Sequence, residues 1–247
     1  MIVPMRRIFM TFLAALSCLP ASAYQHPCAR GQVIASEISS IGRGNAFELA
    51  GSNEVFVLAD ILAAEIGKPV DLPSGPVKLY FNGRRPDRYG AQPVHLFHSG
   101  GWLQGRLLGR GGALAYPAGE KSSCWQAVLD AEAKFAAKRG MYWRAQGVEF
   151  QASDLDLLSK KLGHFVIVKG VVRSIGDRKR RLYLNFGENW AHDFTVSVAK
   201  QGTGKFKGNL SSLTKLKNKL VQVRGVLEDN RGPLIRVIDE IQIQIID

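Results

Sequence analysis

Acidic residues are scarce in this chain. Lys and Arg number 33 against 21 Asp and Glu, a formal charge of +12. Such a field attracts nucleic acid, anionic lipid or acidic polysaccharide, and it does not choose among them. Long apolar runs are missing after residue 23, so no later stretch is long and apolar enough to cross a membrane. Cysteine is rare at three residues and histidine at five. No histidine stands in an evident partner motif for a cysteine, which argues against catalytic thiol chemistry. Tandem short repeats and low-complexity tracts are absent too.

Residues 1–23 read as a signal peptide. Arg6 and Arg7 form a short positive region, Ile8 to Leu19 is an apolar run, and Ala21-Ser22-Ala23 supplies the small-x-small cleavage pattern. A spanning helix would need about 20 apolar residues, which makes a retained anchor the weaker reading. Cys18 is poorly placed for a lipoprotein signal, because Ala15 stands where that motif wants leucine. The expected destination is the bacterial periplasm, or secretion. Arg6 and Arg7 carry two of the twelve net charges, leaving +10 on the mature chain. Two cysteines also remain, Cys28 and Cys124. An exported pair favours a disulfide, here one that ties the mature N-terminus to the start of a helix; two separate buried thiols are the alternative.

The mature chain divides into residues 31–143, a linker at 144–162 and a second block at 163–247. Length permits one or two domains, each able to bury a core. In the first block the predicted strands are Gln32–Ile41, Ala46–Leu49, Val55–Ile61, Lys78–Phe81 and Pro93–His98, separated by glycine or Ser-Asn turns and by Asn82-Gly83. Predicted helices come later: Trp102–Leu108, then Cys124–Arg139, with Trp125, Leu129, Glu132 and Ala136 on one stripe beside Val128 and Phe135. Ser153-Asp154 could cap a short linker helix carrying Leu155, Leu158 and Leu162. The second block is almost purely strand, with one short helix through Leu210, Leu213 and Leu216, and a hairpin around Asn230-Arg231-Gly232-Pro233. Three strands, a helix, then two or three strands is the order of an OB-type barrel; another small barrel or an open sheet is the alternative. The expected fold class is mainly β with α: two OB-type β-barrels, the first with helices gathered after its strands.

Three stretches of the first block carry a resemblance. Asp87-Arg88-Tyr89-Gly90 follows a strand, Leu103–Tyr116 reads as a helix and closing strand, and Ala131-Glu132-Ala133-Lys134 runs on to Lys138-Arg139-Gly140-Met141-Tyr142-Trp143. In this order they resemble the staphylococcal-nuclease (thermonuclease) family over roughly Gly31 to Trp143. Tyr183-Leu184-Asn185-Phe186-Gly187 and Asp193-Phe194-Thr195-Val196 resemble the extra OB-like domain of some exported bacterial members. The resemblance implies a barrel that hydrolyses phosphodiesters with calcium, one glutamate and two arginines. The chemistry explains that set: a carboxylate base activates water, arginines meet charge growing on phosphate, and calcium needs several oxygen ligands.

Most of those charges are missing here. Within Val57-Leu58-Ala59-Asp60-Ile61-Leu62-Ala63-Ala64-Glu65, Glu65 matches the catalytic glutamate. Val57 stands where the first arginine belongs, Ala91 where the second does, and Leu62 and Asn45 stand where aspartates would hold calcium. Asp60 is two residues out of register but on the same strand face, which would allow it to rescue a calcium site. Losing two transition-state donors, at about 10²–10³ each, leaves little catalysis. Residues 66–77 hold three prolines and two glycines where the family has a long helix.

The expected role is therefore binding of nucleic acid or another polyanion, without a metal or other cofactor. Arg84, Arg85, Arg88 and Tyr89 could track a phosphate backbone and stack a base. Lys179, Arg180 and Arg181 beside Tyr183 offer the same combination. In both places a solvated cationic turn is the plainer reading, as a solvated loop charge is for Glu65. Two alternatives stand: a calcium-dependent nuclease with a site rearranged from Glu65, Asp60, Arg84 and Arg88, and an envelope adaptor with a protein partner. His95 and His98, three apart on a strand, point to opposite faces and should not share a metal.

Overall fold

Strands with alternating side chains organise both halves of the chain. The computed structural model describes residues 25–42, 45–63, 70–82, 85–117, 123–139, 147–189, 192–202 and 204–246. The signal peptide expected at 1–23 lies outside them. The chain is mainly β with few helices: one closed five-strand mixed barrel, plus a second large mixed sheet that does not close.

The barrel uses β1 (Val33–Ile41), β2 (Ala46–Leu49), β3 (Val55–Leu58), β5 (Pro76–Tyr80) and β6 (Gln92–His98), with β4 (Ile61–Ala63) lying outside it. β1 serves two neighbours. Val33–Glu37 pairs with β5, and Ile38–Ile41 pairs with β2 across an irregular register between Ile38 and Ser40. Such a bulge bends the strand and lets it turn a barrel corner. The parallel pairing of β3 with β6 closes the ring. Phe47, Leu49, Phe56, Leu58, Val77, Leu79, Val94 and Leu96 are buried inside it.

The strand predicted over Val55–Ile61 is interrupted. Asn45 Nδ2 donates to Leu58 O at 2.8 Å and Ile61 O at 3.3 Å, and Asp60 between them has φ 62°. The chain turns there, and β4 leaves to pair with β8 (Ala113–Ala115). β7 (Gly101–Trp102) and α1 (Leu103–Leu108) follow β6, and α2 (Trp125–Arg139) ends the unit. Trp125, Val128 and Leu129 of α2 pack on the barrel core. The stripe then runs through Glu132 to Phe135, whereas Ala136, expected on it, is exposed. Gly111 makes room for the Phe135 ring: a Cβ there would stand 2.3 Å from Cζ.

Segment 144–162 supplies β9 (Glu149–Gln151), which pairs in parallel with β10 (Phe165–Val171), and α3 (Leu155–Ser159). The second sheet continues with β11 (Ser174–Asp177), β12 (Arg181–Asn185), β13 (Thr195–Ala199), β14 (Leu220–Asp229), β15 (Pro233–Val237) and β16 (Ile243–Ile245). α4 (Leu210–Leu213) and a 3₁₀ turn at Thr214–Leu216 cross between β13 and β14. Its path is β11-β12-β13-β15-β14-β10-β9, with β16 on β14. A second closed barrel was expected; instead the ladder is open between β10 and β11. The reason lies in Val172 and Arg173. Val172 N donates to Lys219 O on the β14 side, and Arg173 N donates to Asn185 O on the β12 side. One bent stretch of chain thus bonds to the β14 side through Val172 and to β12 through Arg173, with no ladder joining β10 to β11 across the bend. β13 and β15 pair in parallel, as β3 and β6 do.

The two units meet over a mixed interface. β10 is buried on both faces: Val166 and Val168 enter their own core, while Ile167 packs with Leu114 and Phe135 of the first unit. Tyr116 meets Phe165 edge-on at 5.1 Å. At the centre Arg224 of β14 is 1 % exposed. Its Nη1 donates to Ala115 O at 2.9 Å, and its Nη2 donates to Glu132 Oε2 at 2.9 Å and Gln244 Oε1 at 3.2 Å. Glu132 Oε1 accepts from Ala115 N at 2.7 Å. No described helix is long and apolar enough to cross a membrane.

Candidate functional site

The stretch expected from the resemblance to carry nuclease chemistry does not assemble a charged cleft from the described residues. Glu65 and Arg84 lie outside those residues. Val57 is half-buried on β3 opposite Pro93, Leu62 is half-buried opposite Leu114, and Ala91 is buried. Asp60, expected on the strand face toward the calcium position, is instead buried in the turn after β3. Its Oδ2 lies 3.3 Å from His95 Nε2, so it faces the protein interior and is not poised to hold calcium in an open cleft. Asp87 holds the following loop together: its Oδ1 accepts from Tyr89 N at 2.8 Å and Ala91 N at 3.0 Å. Arg85, Arg88 and Tyr89 are left facing solvent, with the Arg88 guanidinium 4.8 Å over the Tyr89 ring.

A groove opens on the second sheet instead. It encloses ≈ 570 Å³ and is walled by β11, β12, β13 and the β14–β15 hairpin. Period-two alternation on β12 decides its surface: Leu182 and Leu184 are buried in the core, while Tyr183 and Asn185 face the groove. Gly176 is the register partner of Tyr183 and brings no side chain to cover the ring. Asn185 Nδ2 donates to Ser174 Oγ at 3.0 Å. Arg178 and Arg231 both line it, and Asp193 adds one carboxylate. Gly232 keeps the hairpin close to its neighbour, since a Cβ there would meet His192 O at 2.5 Å. Arg181 donates from Nη1 to Ser197 Oγ at 3.0 Å beside this surface, while Lys179 and Arg180 are exposed in the adjoining turn. Of the residues singled out from sequence, Tyr183 lines the groove. Arg231 and Asn230 were not among them, because the hairpin reads only as a turn until folding brings it over β12.

A third constellation is buried in the first unit. Cys28 and Cys124 are at disulfide distance with Cα atoms 4.7 Å apart, both fully buried. His95 lies against them, its Nδ1 3.9 Å from Cys124 Sγ. Trp102 Nε1, a donor only, points to the same Nδ1 at 3.3 Å. That places the neutral imidazole's proton on Nε2, toward Asp60. The 3.3 Å approach to Asp60 is close but poorly aligned for a hydrogen bond. Sequence reasoning paired Cys28 with Cys124, but gave no sign that His95, Trp102 and Asp60 gather around them from separate segments of the chain.

His26 lies at the edge of the same group, its ring 4.8 Å from that of Trp102. Desolvation by burial, and then the neighbouring His95, hold its imidazole below the ordinary 6.5. A base depressed in the folded state takes up protons more readily unfolded, so its stabilising contribution is present above the unfolded value. That contribution is lost as pH falls through the unfolded value toward the folded one. The melting temperature is expected to drop between about pH 7.5 and pH 5.5, and to drop less in His26→Gln. Equal drops in both proteins, followed by circular dichroism, would remove His26 from the explanation.

No protein-family model matches the chain, and no curated protein matches it.

Proposed function

We propose that this is an exported protein that binds single-stranded nucleic acid in the groove over β12, built on a degenerate staphylococcal-nuclease-like barrel followed by an OB-type unit. The observation that carries the reading is Tyr183, held outward beside Asn185 in a ≈ 570 Å³ groove whose walls present Arg178 and Arg231. An uncovered aromatic ring accepts any base on its face, and flanking guanidinium groups track phosphates. The bent β10–β11 stretch and the parallel β13–β15 pairing support the OB-type assignment. In the first unit the same pairing of β3 with β6 supports the family resemblance. Val57, Leu62 and Ala91 at the positions of expected charge support a binding role without catalysis, and the N-terminal pattern supports export, to the periplasm or by secretion.

Fluorescence anisotropy with labelled single-stranded DNA and RNA across a salt series tests this. The logarithm of affinity should fall linearly with the logarithm of salt, and Arg178→Ala and Arg231→Ala should each flatten the slope by about 0.7. Tyr183→Ala should weaken binding about 5- to 150-fold, the equivalent of one lost base stack at ~1–3 kcal/mol. Calcium should release no acid-soluble nucleotides. Affinity that ignores salt, or that Tyr183→Ala leaves unchanged, would falsify the assignment.

A further inference from the structure

We infer that, once the Cys28–Cys124 bond is opened, its two sulfurs and His95 Nδ1 form a three-donor site for a soft d¹⁰ cation, Cu(I). The three donor atoms already lie within 4.8 Å of one another, and all three residues are buried. Each is delivered by a different part of the chain. Cys28 is held by its amide donating to His26 Nδ1 at 3.1 Å. His95 sits mid-strand on β6. Cys124 immediately precedes α2, its carbonyl accepting from Val128 N at 3.1 Å, and the start of a helix favours a thiolate.

The imidazole is oriented as a ligand. Trp102 defines Nδ1 as the unprotonated nitrogen, and Asp60 stands 3.3 Å behind Nε2. Turning the ring far enough to align Nε2–H with that carboxylate would give the hydrogen bond that orients a metal-binding histidine and raises its basicity. Two thiolates and one imidazole in a dry interior suit a soft ion that accepts three ligands, whereas a structural Zn(II) site takes four. The groove on the second sheet has no part in this.

The chemistry balances with a dithiol as reductant. The dithiol gives two electrons and two protons to the Cys28–Cys124 bond, yields two thiols and leaves as its own disulfide. Cu(I) then bonds to both sulfurs and to Nδ1, and the two thiol protons go to solvent. Nδ1 releases none, since its ring proton is on Nε2. Trp102 Nε1 loses its acceptor and must turn aside.

The test uses the full chain, reduced anaerobically with dithiothreitol, freed of reductant and titrated with Cu(I) against a chromophoric chelator. One equivalent should be retained, with X-ray absorption showing two sulfurs and one nitrogen, while the oxidised chain retains none. His95→Gln should weaken retention at least about 10-fold and remove the nitrogen. Asp60→Asn, which keeps every donor, should weaken it about 10- to 100-fold. Failure of the reduced chain to hold copper against the chelator overturns the inference. So does a His95→Gln protein that binds as tightly as the parent, which is also the result if reduction unfolds the chain and two loose thiols bind the ion.

Discussion

Glu132→Ala is expected to lower the unfolding free energy by about 3–5 kcal/mol, because it leaves Arg224 charged and buried without its partner. The geometry makes the site unforgiving. Arg224 is 1 % exposed, and Glu132 is its only carboxylate contact among the described residues. Glu132 also accepts from Ala115 N, so the substitution orphans a backbone donor as well. A buried ion pair is nevertheless weak support for stability by itself, since desolvation offsets much of the attraction. The double substitution Glu132→Leu with Arg224→Met should therefore be far closer to the parent than Glu132→Leu alone or Arg224→Met alone. Urea unfolding of the four proteins provides the coupling energy directly. A cost below about 1 kcal/mol for Glu132→Ala would mean that water reaches Arg224, and the interface would have to be looser than described. Because the pair joins α2 to β14, the single variants should also unfold in less coincident steps when followed by separate probes of the two units.

Loss of the Cys28–Cys124 bond is the other large effect. The cysteines are 96 residues apart in sequence, and chain entropy for so long a loop corresponds to up to about 4–5 kcal/mol. Cys124→Ser should lower the urea midpoint accordingly, and Cys28→Ser should do the same with no additive penalty when the two are combined. Thiol titration offers an independent check. In denaturant without reductant neither Cys28 nor Cys124 should react, and after reduction both should. Prompt labelling of both in native buffer would argue that no bond exists there and would return the pair to separate thiols.

Much of the fold was readable from patterns that are local. Tyr183 and Asn185 alternate with Leu182 and Leu184 along β12, a pattern that leaves the tyrosine free to face away from the core. Glu132 in an otherwise apolar stripe was a visible sign that α2 buries a charge, but nothing near it named Arg224. The break after Leu58 was missed because it depends on Asn45, whose amide reaches across to the carbonyls of Leu58 and Ile61 on either side of the turn. β11 was missed because Ser174–Asp177 carries no apolar alternation; it forms because Asn185 and its neighbours on β12 offer an edge to pair with.

By itself the sequence determined the strand-rich class, the two-block order, the basic charge and the absence of arginine and aspartate at 57, 62 and 91, since composition and period-two alternation are properties of neighbouring residues. Only the tertiary structure decided that Asp60 faces His95 beside the cysteines, that Arg224 enters the first unit, and that the 230–232 hairpin walls the groove over Tyr183. Each of these joins side chains far apart along the chain, and the environment of a charge or an aromatic ring is set by whatever element folding brings against it.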